Sequence, residues 1–301
     1  MKIKNLFKRV IALAIFVGAL PFVFNASARE EDKGDKLQLT GDELEVEQKK
    51  ESKWLDDYHK KVGFTYGAKA TIQTTYIWRG LYSGGANIQA SANVGYGGLY
   101  LDMWWNIGVT DWSFKQFQPE VDLSLGFARW GLNVYLLYIH NFNKFFFDFN
   151  NYAGKGNRLE LNVRYTVSSK LPLSFIWGTR LSAADGYIDE ETGKLVRAYS
   201  SYAEISYTHR FPYDISLYGA LGITPWRSVY THYQRGFAFQ NIDIRLMKEW
   251  EISTHCGLRL MGQLTINPSG LAADKSTAQW KPLDPGWQSI NGNLACCVYL
   301  K

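Results

Sequence analysis

The stretch FTYGAKATIQTTYIWRGLYSGGANIQASANVGY, residues 64–96, opens a pattern that continues along most of the chain. From Phe64 to Trp78, every second residue except Thr74 is apolar or aromatic, whereas those between are mostly polar. This alternation is typical of a β-strand with one apolar face, because successive side chains of a strand point to opposite sides. The pattern predicts one strand over residues 64–79, which is far longer than the roughly five or six residues usual in soluble domains.

The alternation recurs in eleven further segments, so the sequence predicts twelve strands. These segments are 87–96, 99–110, 117–129, 131–142, 158–168, 171–182, 198–211, 214–224, 237–248, 250–266 and 290–301. The alternation slips near Gln240, which indicates a β-bulge. Tight connections alternate with long ones, and the tight ones fall at 97–98, 130–131, 168–172, 211–214 and 248–250.

Long strands, an even strand count and alternating short and long connections are typical of outer-membrane barrels. Backbone groups in lipid have no water to bond, so such a sheet must close on itself. The sequence therefore predicts an all-β fold: a transmembrane antiparallel β-barrel of about twelve strands with a polar lumen, over residues 62–301. Aromatic residues are predicted to mark two headgroup levels, with Tyr76, Trp78 and Trp112 at one level and Trp130, Phe211, Tyr213 and Trp250 at the other. The alternative is a secreted β-sandwich whose charged face meets solvent.

The N-terminal residues differ from the rest of the chain. Four basic residues, the apolar run VIALAIFVGALPFVF and small residues up to Ala28 predict a signal peptide over residues 1–28, a membrane-anchoring helix being the alternative. Its removal takes four of the 33 basic residues and none of the 28 acidic ones. The remaining chain is nearly neutral, which gives no indication of nucleic-acid binding.

Residues 29–61 carry eleven acidic and eight basic side chains and few core-forming residues. This composition predicts a charged periplasmic segment that is partly helical around residues 42–55. A periplasmic partner that binds residues 29–61 is one hypothesis for its role.

Three cysteines occur, at 256, 296 and 297. An odd number without regular spacing is not a disulfide framework. A bond between Cys256 and Cys296 on neighbouring strands and three free thiols are both compatible with the pattern.

The segment YIWRGLYSGGANIQASANVGYGGLYLDMWWN resembles the opening of the TorF-type porin family of outer-membrane barrels. The residues that carry the resemblance are Tyr76, Trp78, Arg79, Gly80, Gln89, Gly98, Leu99, Tyr100 and Trp104. The later stretches PEVDLSLGF, WGLNVYLLY and RLELNV are also similar to that family, so the resemblance covers residues 64–165. It implies an outer-membrane barrel with Glu120, Asp122 and Glu160 directed inward.

The polar phase of the strands predicts a set of charged side chains that line the lumen. They are Lys69, Arg79, Asp102, Glu120, Asp122, Arg158, Glu160, Arg164, Arg180, Glu204, Arg210, Arg245, Glu251, His255 and Arg259. Twelve strands lie between the filled eight-stranded barrels and the open barrels of 16–18 strands. A narrow pore that these side chains tune or block is therefore expected.

No catalytic or metal-binding pattern emerges from the polar residues. A Ser–His pair needs both side chains within hydrogen-bond reach, whereas His209 and Ser216 fall on opposite faces of neighbouring strands. His255, between Glu251 and Arg259, fits a solvated lumen residue better than an acid–base or metal site. The glycine-rich stretches YSGGA and GYGG lie in hairpin connections and open no helix, unlike phosphate-binding loops. We therefore expect no enzyme activity, metal or cofactor.

The sequence thus predicts a passive channel in the outer membrane of a Gram-negative bacterium, surrounded by outer-membrane lipids. The expected cargo is small polar solutes, and the arginines favour anions. Two alternatives remain: a sealed barrel with a structural or docking role, and, with less support, an outer-membrane hydrolase.

Overall fold

The computed structural model describes residues 64–109, 119–141, 157–168, 170–182, 185–189, 191–231, 233, 236–271 and 290–300. The predicted signal peptide (1–28) and charged segment (29–61) lie outside these residues, as does Trp112. Within the described ranges no helix is long and apolar enough to cross a membrane.

Sixteen strands occur in the described ranges. In chain order they are β1 (Phe64–Gln73), β2 (Tyr76–Trp78), β3 (Leu81–Gly84), β4 (Asn87–Tyr96), β5 (Leu99–Gly108), β6 (Glu120–Arg129), β7 (Leu132–Asn141), β8 (Arg158–Thr166), β9 (Leu173–Ser182), β10 (Gly186–Ile188), β11 (Leu195–Arg197), β12 (Ser201–Phe211), β13 (Ile215–Thr224), β14 (Ala238–Ser253), β15 (Cys256–Ile266) and β16 (Ile290–Leu300). A 3-10 turn (Val229–Thr231) precedes β14, and a short helix α1 (Pro268–Leu271) follows β15.

Twelve of these strands form a closed antiparallel barrel in the order β1-β16-β15-β14-β13-β12-β9-β8-β7-β6-β5-β4. The barrel closes at β1, which pairs with β16 on one side, from Ala68↔Leu300 to Gln73↔Ala295, and with β4 on the other. The remaining four strands form two small hairpins, β2–β3 and β10–β11. Closure leaves no unpaired edge, which satisfies the backbone groups of every wall strand. The predicted twelve-stranded barrel is confirmed.

The two largest errors in the predicted strands lie at residues 64–79 and 248–250. The stretch 64–79 is not one strand, because β1 ends at Gln73 and the chain turns into the separate hairpin β2–β3. The predicted turn at 248–250 is also absent: β14 continues to Ser253, and the turn to β15 lies at residues 254–255. The predicted bulge is confirmed, since the β13–β14 register skips Gln240 between Asn241 and Phe239.

The two faces of the wall differ in chemistry as the alternation predicts. Large apolar side chains remain exposed on the outer face, for example Leu101, Leu125, Leu246 and Leu294. The inner face carries buried polar groups, including side chains with no exposed surface such as Glu160, Asn162 and Gln240. This distribution is the reverse of that in a soluble domain, where apolar side chains fill the core.

Exposed aromatic residues lie at both ends of the barrel. Trp130 and Tyr213 are exposed at the end with short turns, and Trp226 and Phe237 at the end with long connections. The prediction that Tyr76 and Trp78 lie at a rim is wrong. Both belong to β2, which is directed into the barrel, where Trp78 packs against Tyr230 with ring centroids 5.6 Å apart.

Candidate functional site in the barrel interior

The hairpin β2–β3 enters the lumen at the end of β1. The Thr74 backbone N–H donates to the carbonyl oxygen of Leu294 at 2.9 Å, and the Thr75 N–H donates to Oδ1 of Asn293 at 3.2 Å. These bonds satisfy the backbone where β1 leaves the wall. The chain then reverses at Arg79 and Gly80, which both have positive φ angles of 51° and 80°.

Gly80 allows the tip of this hairpin to touch the wall at β14, three strands from β1 in the barrel order. A Cβ at position 80 would lie 2.2 Å from the carbonyl oxygen of Gln240 on β14. Glycine is therefore required both for the left-handed backbone and for the close approach. As a result, the Arg79 side chain reaches across the lumen.

Arg79, in the turn between β2 and β3, binds two side chains of β8 on the far side of the barrel from β1. Its Nη1 is 2.9 Å from Oε2 of Glu160, and its Nη2 donates to Oδ1 of Asn162 at 2.9 Å. In the strand order, β9 is six strands from β1 in either direction, and β8 is its neighbour. The ion pair between Arg79 and Glu160 therefore joins the tip of the hairpin to the side of the barrel opposite β1.

A second arginine and a tyrosine complete this arrangement. Nε of Arg180 lies 3.5 Å from Oε1 of Glu160, and Nη1 of Arg79 donates to the hydroxyl of Tyr230. We call Arg79, Glu160, Asn162, Arg180 and Tyr230 the Arg79 cluster. Glu160 and Asn162 are fully buried, and Tyr230 is almost so. Removing one partner of a buried ion pair typically costs about 3–5 kcal/mol, so this cluster holds the hairpin firmly.

Gly178 provides the space that the Arg79 guanidinium occupies. A Cβ at position 178 would lie 2.4 Å from Oδ1 of Asn162 and 2.7 Å from Nη2 of Arg79. The rings of Trp78 and Tyr202 flank the guanidinium, with centroids 4.5 and 5.1 Å from its Cζ. Arginine stacks well on aromatic faces, which favours it over lysine here.

Two long connections position Tyr230. The Val229 N–H donates to Oγ of Ser200 at 2.8 Å, and the Ser200 N–H donates to Oδ2 of Asp185 at 2.9 Å. Burial raises the pKa of Asp185, and the hydrogen bonds from Ser200 oppose part of that rise. These hydrogen bonds join the connection after β13 to the connection after β9. They thereby hold Tyr230 in the lumen.

Other inward side chains form networks along the wall. Glu120 accepts a hydrogen bond from the Tyr76 hydroxyl at 2.9 Å. Glu204 accepts one from the Tyr218 hydroxyl at 2.9 Å, and Nε of Arg245 donates to Asp243 at 2.8 Å. Nearer the short turns, Nε of Arg259 lies 2.5 Å from Oε1 of Glu249. Each of these arginines has a carboxylate partner.

The predicted lumen residues fall into three groups. Arg79, Glu160 and Arg180 meet in the Arg79 cluster, whereas ten others occupy inward positions along the wall: Lys69, Asp102, Glu120, Asp122, Arg158, Arg164, Glu204, Arg210, Arg245 and Arg259. Glu251 shares the inward phase but is exposed beside the last turn. His255 lies in that turn and is exposed, so its assignment to a strand facing the lumen is wrong. The cause is the extension of β14 beyond its predicted end.

Several inward residues were missed by the sequence prediction. Tyr230 lies outside the strands, and nothing in its local pattern indicates that it enters the barrel. Asp243 and Glu249 share the inward phase of β14 with Arg245. The alternation of the predicted strand 237–248 already places Asp243 inward, whereas Glu249 was missed because the end of that strand was misplaced. His209 and Ser216 lie on opposite faces of the wall, since His209 pairs with Leu217 and Arg210 with Ser216.

No disulfide links the cysteines: Cys256, Cys296 and Cys297 are free. Cys256 pairs with Leu300, whereas Cys296 pairs with Leu260, so the two outward cysteines are offset by four residues along the wall. In the described part of the chain, no group of three His, Cys, Asp or Glu residues is placed to hold a metal ion.

The fold and interior define a closed β-barrel with an apolar outer surface and a polar, partly filled lumen. No family model matches the chain, and no curated protein matches it. Among solved structures, it is similar to the NanC porin at 11% identity and a TM-score of 0.42, covering 79% of this chain and 100% of that one. It is also similar to an outer-membrane channel from Pseudomonas putida F1 at 10% identity and a TM-score of 0.42, covering 81% of this chain and 97% of that one. At this level, neither protein's activity transfers to this chain, and the resemblance to TorF-type porins stays a prediction.

Proposed function

We propose that the chain is an outer-membrane channel of a Gram-negative bacterium that passes small polar solutes and favours anions. The observation that carries this proposal is the inverted distribution of side chains in a closed barrel. Lipid would cover the exposed apolar outer face, and closure satisfies the backbone without water. The buried polar inner face would then provide the path for solutes.

The Arg79 cluster would set the width of this path. A twelve-stranded barrel is narrower than the 16–18-stranded barrels with open aqueous channels. Here the ion pair of Arg79 with Glu160, together with Tyr230, crosses the interior. We therefore expect a small conductance and exclusion of large solutes.

The same cluster supports a preference for anions. Arg79 and Arg180 both approach Glu160, so two guanidinium groups share one carboxylate. Arginine keeps its charge at all relevant pH values. Elsewhere Arg245 and Arg259 are paired with Asp243 and Glu249, which limits the preference to a modest one.

Planar-bilayer recording of the purified full-length protein tests the proposal. We expect discrete, small conductance steps and a reversal potential in a potassium chloride gradient that indicates chloride preference. A protein that inserts but gives no steps in many independent bilayers would contradict the channel proposal.

A sealed barrel is the second candidate, and the tight packing of the interior favours it. Glu160, Asn162 and Gln240 have no exposed surface, so the interior is tightly packed around the tip of the hairpin. In this case neither the natural protein nor an Arg79→Ala variant would conduct. Binding of a periplasmic partner to residues 29–61 would then be the function to test, by comparing complexes with and without that segment.

A further inference from the structure

A cavity of about 240 Å³ lies beneath the β2–β3 hairpin, against the part of the wall formed by β14, β15, β16, β1 and β4. Tyr76 and Ile77 of the hairpin line one side of it. A water molecule takes up about 30 Å³ of liquid. The cavity, which we call the lumen pocket, therefore has room for a small solute.

Three cationic side chains line the lumen pocket: Lys69, Arg245 and Arg259. No carboxylate lines it among the residues that the structure describes. Asp243 and Glu249 neutralise the two arginines. Lys69 is exposed and forms no ion pair among the described residues, although its charge interacts with that of Asp102, two strands away on the inner face. The lumen pocket thus carries an excess positive charge at Lys69.

Carboxamide side chains supply the other polar groups of the lumen pocket. Nδ2 of Asn293 donates to Oε1 of Gln73 at 3.3 Å and to Oε1 of Gln263 at 3.2 Å. These mutual bonds fix the orientation of the amides. Each carboxamide has two N–H donors and two lone pairs on its oxygen. Asn293 uses all of these within the protein, and both N–H groups of Gln263 bind Asp243 and Thr265. Gln73 and Oε1 of Gln263 keep capacity for bonds to a hydroxylated solute.

We propose that the lumen pocket binds a small hydroxylated organic anion. Its carboxylate or phosphate would pair with Lys69 beside Arg245 and Arg259. Its hydroxyl groups would exchange hydrogen bonds with the carboxamides of Gln73 and Gln89 and would donate to Oε1 of Gln263. A role for this site in solute permeation rests on the proposed channel function.

Cys297 provides a reporter, because its thiol lines the lumen pocket. The experiment uses full-length protein with Cys256→Ser and Cys296→Ser, purified in detergent, so that Cys297 is the one remaining thiol. The rate of Cys297 alkylation by neutral iodoacetamide is measured by mass spectrometry in three solutions. They contain potassium gluconate, potassium chloride at the same ionic strength, or sorbitol. We expect gluconate to slow alkylation several-fold, with little effect of chloride or sorbitol.

The Lys69→Met variant should lose this protection. Lys194→Met is the matched control, because it removes the same charge from an exposed connection between β10 and β11, and it should keep the protection. Equal alkylation rates in all three solutions would overturn the proposal, and so would equal protection in the Lys69→Met variant.

The result separates this proposal from the channel function. Protection by gluconate without conductance would preserve the binding site and remove its role in transport. Conductance without protection would support the channel function and overturn the proposed binding site.

Discussion

The Arg79 cluster and the lumen pocket are both polar and both lie inside the barrel, yet their charged side chains differ in burial and in the origin of their partners. In the Arg79 cluster Glu160 is fully buried and is approached by two arginines from different parts of the chain. In the lumen pocket Lys69 is exposed, and Arg245 and Arg259 bind carboxylates on their own or the neighbouring strand.

The difference follows from the positions along the chain of the residues that pair with these charged groups. A buried charge is tolerated only when it is paired and hydrogen-bonded, so the Arg79 cluster must form as a unit when the hairpin enters. The charged groups of the lumen pocket lie on neighbouring wall strands, and Tyr76 and Ile77 of the hairpin cover one side of it. The first region is therefore suited to obstruct the lumen and the second to contact a solute.

Replacement of Arg79 should produce the largest change. In Arg79→Ala the hairpin loses its ion pair with Glu160, and the buried Asn162 loses its hydrogen bond. We expect a several-fold increase in single-channel conductance with the barrel still folded, because the wall pairing does not involve Arg79. Arg129→Ala is the control, since Arg129 stacks on Trp130 beside a short turn, 4.4 Å from the ring centroid. An unchanged conductance would contradict the role of the Arg79 cluster as the obstruction.

A smaller effect is expected from Gly178→Ala. The added methyl would crowd Asn162 and Nη2 of Arg79, and overpacking of this kind typically costs about 1–3 kcal/mol. The unfolding temperature, followed by near-ultraviolet circular dichroism, should fall. Gly219→Ala adds the same methyl where no atom lies within 4 Å, and it should leave that temperature almost unchanged. Equal shifts in the two variants would show that the contact with Arg79 is not tight.

Lys69→Met should alter selectivity more than conductance. Removing the excess positive charge from the lumen pocket lowers the attraction for anions, whereas the Arg79 cluster is untouched. We expect the reversal potential to move toward zero by a few millivolts. If Lys194→Met moved it equally, the charge at Lys69 would have no special role.

His255→Ala should have the smallest effect. Its side chain is exposed in the turn at residues 254–255 and belongs neither to the Arg79 cluster nor to the residues that line the lumen pocket. Conductance and selectivity should match those of the natural protein. A clear change in either would restore the original assignment of His255 to the lumen.

Much of the wall could be predicted from the sequence, because the period-two pattern directly reflects which face each residue takes. The register of β8 illustrates this: Arg158, Glu160, Asn162 and Arg164 alternate with apolar residues and take the inner face. The turn after β14 was misplaced because Ser253, Thr254 and His255 include neither Gly nor Pro, the strongest turn signals.

The hairpin and the Arg79 cluster could not be predicted in this way. The alternation resumes at Tyr76 after a single polar residue, Thr74, on the apolar phase, and one such residue does not indicate that a strand leaves the wall. The departure depends on Asn293, which is more than two hundred residues away along the chain. Tyr230 likewise depends on a contact between two long connections.

The adjacent residues Cys296 and Cys297 test the central claim most directly, because the barrel places their side chains on opposite faces of β16. Single-cysteine variants in liposomes are treated with a membrane-impermeant, water-soluble thiol reagent, and labelling is compared with that of the urea-unfolded protein. The account predicts that Cys297 is labelled through the lumen and that Cys296, covered by lipid, is not. Equal labelling of both residues in liposomes, or labelling of Cys296 alone, would contradict a membrane-spanning barrel with a polar interior.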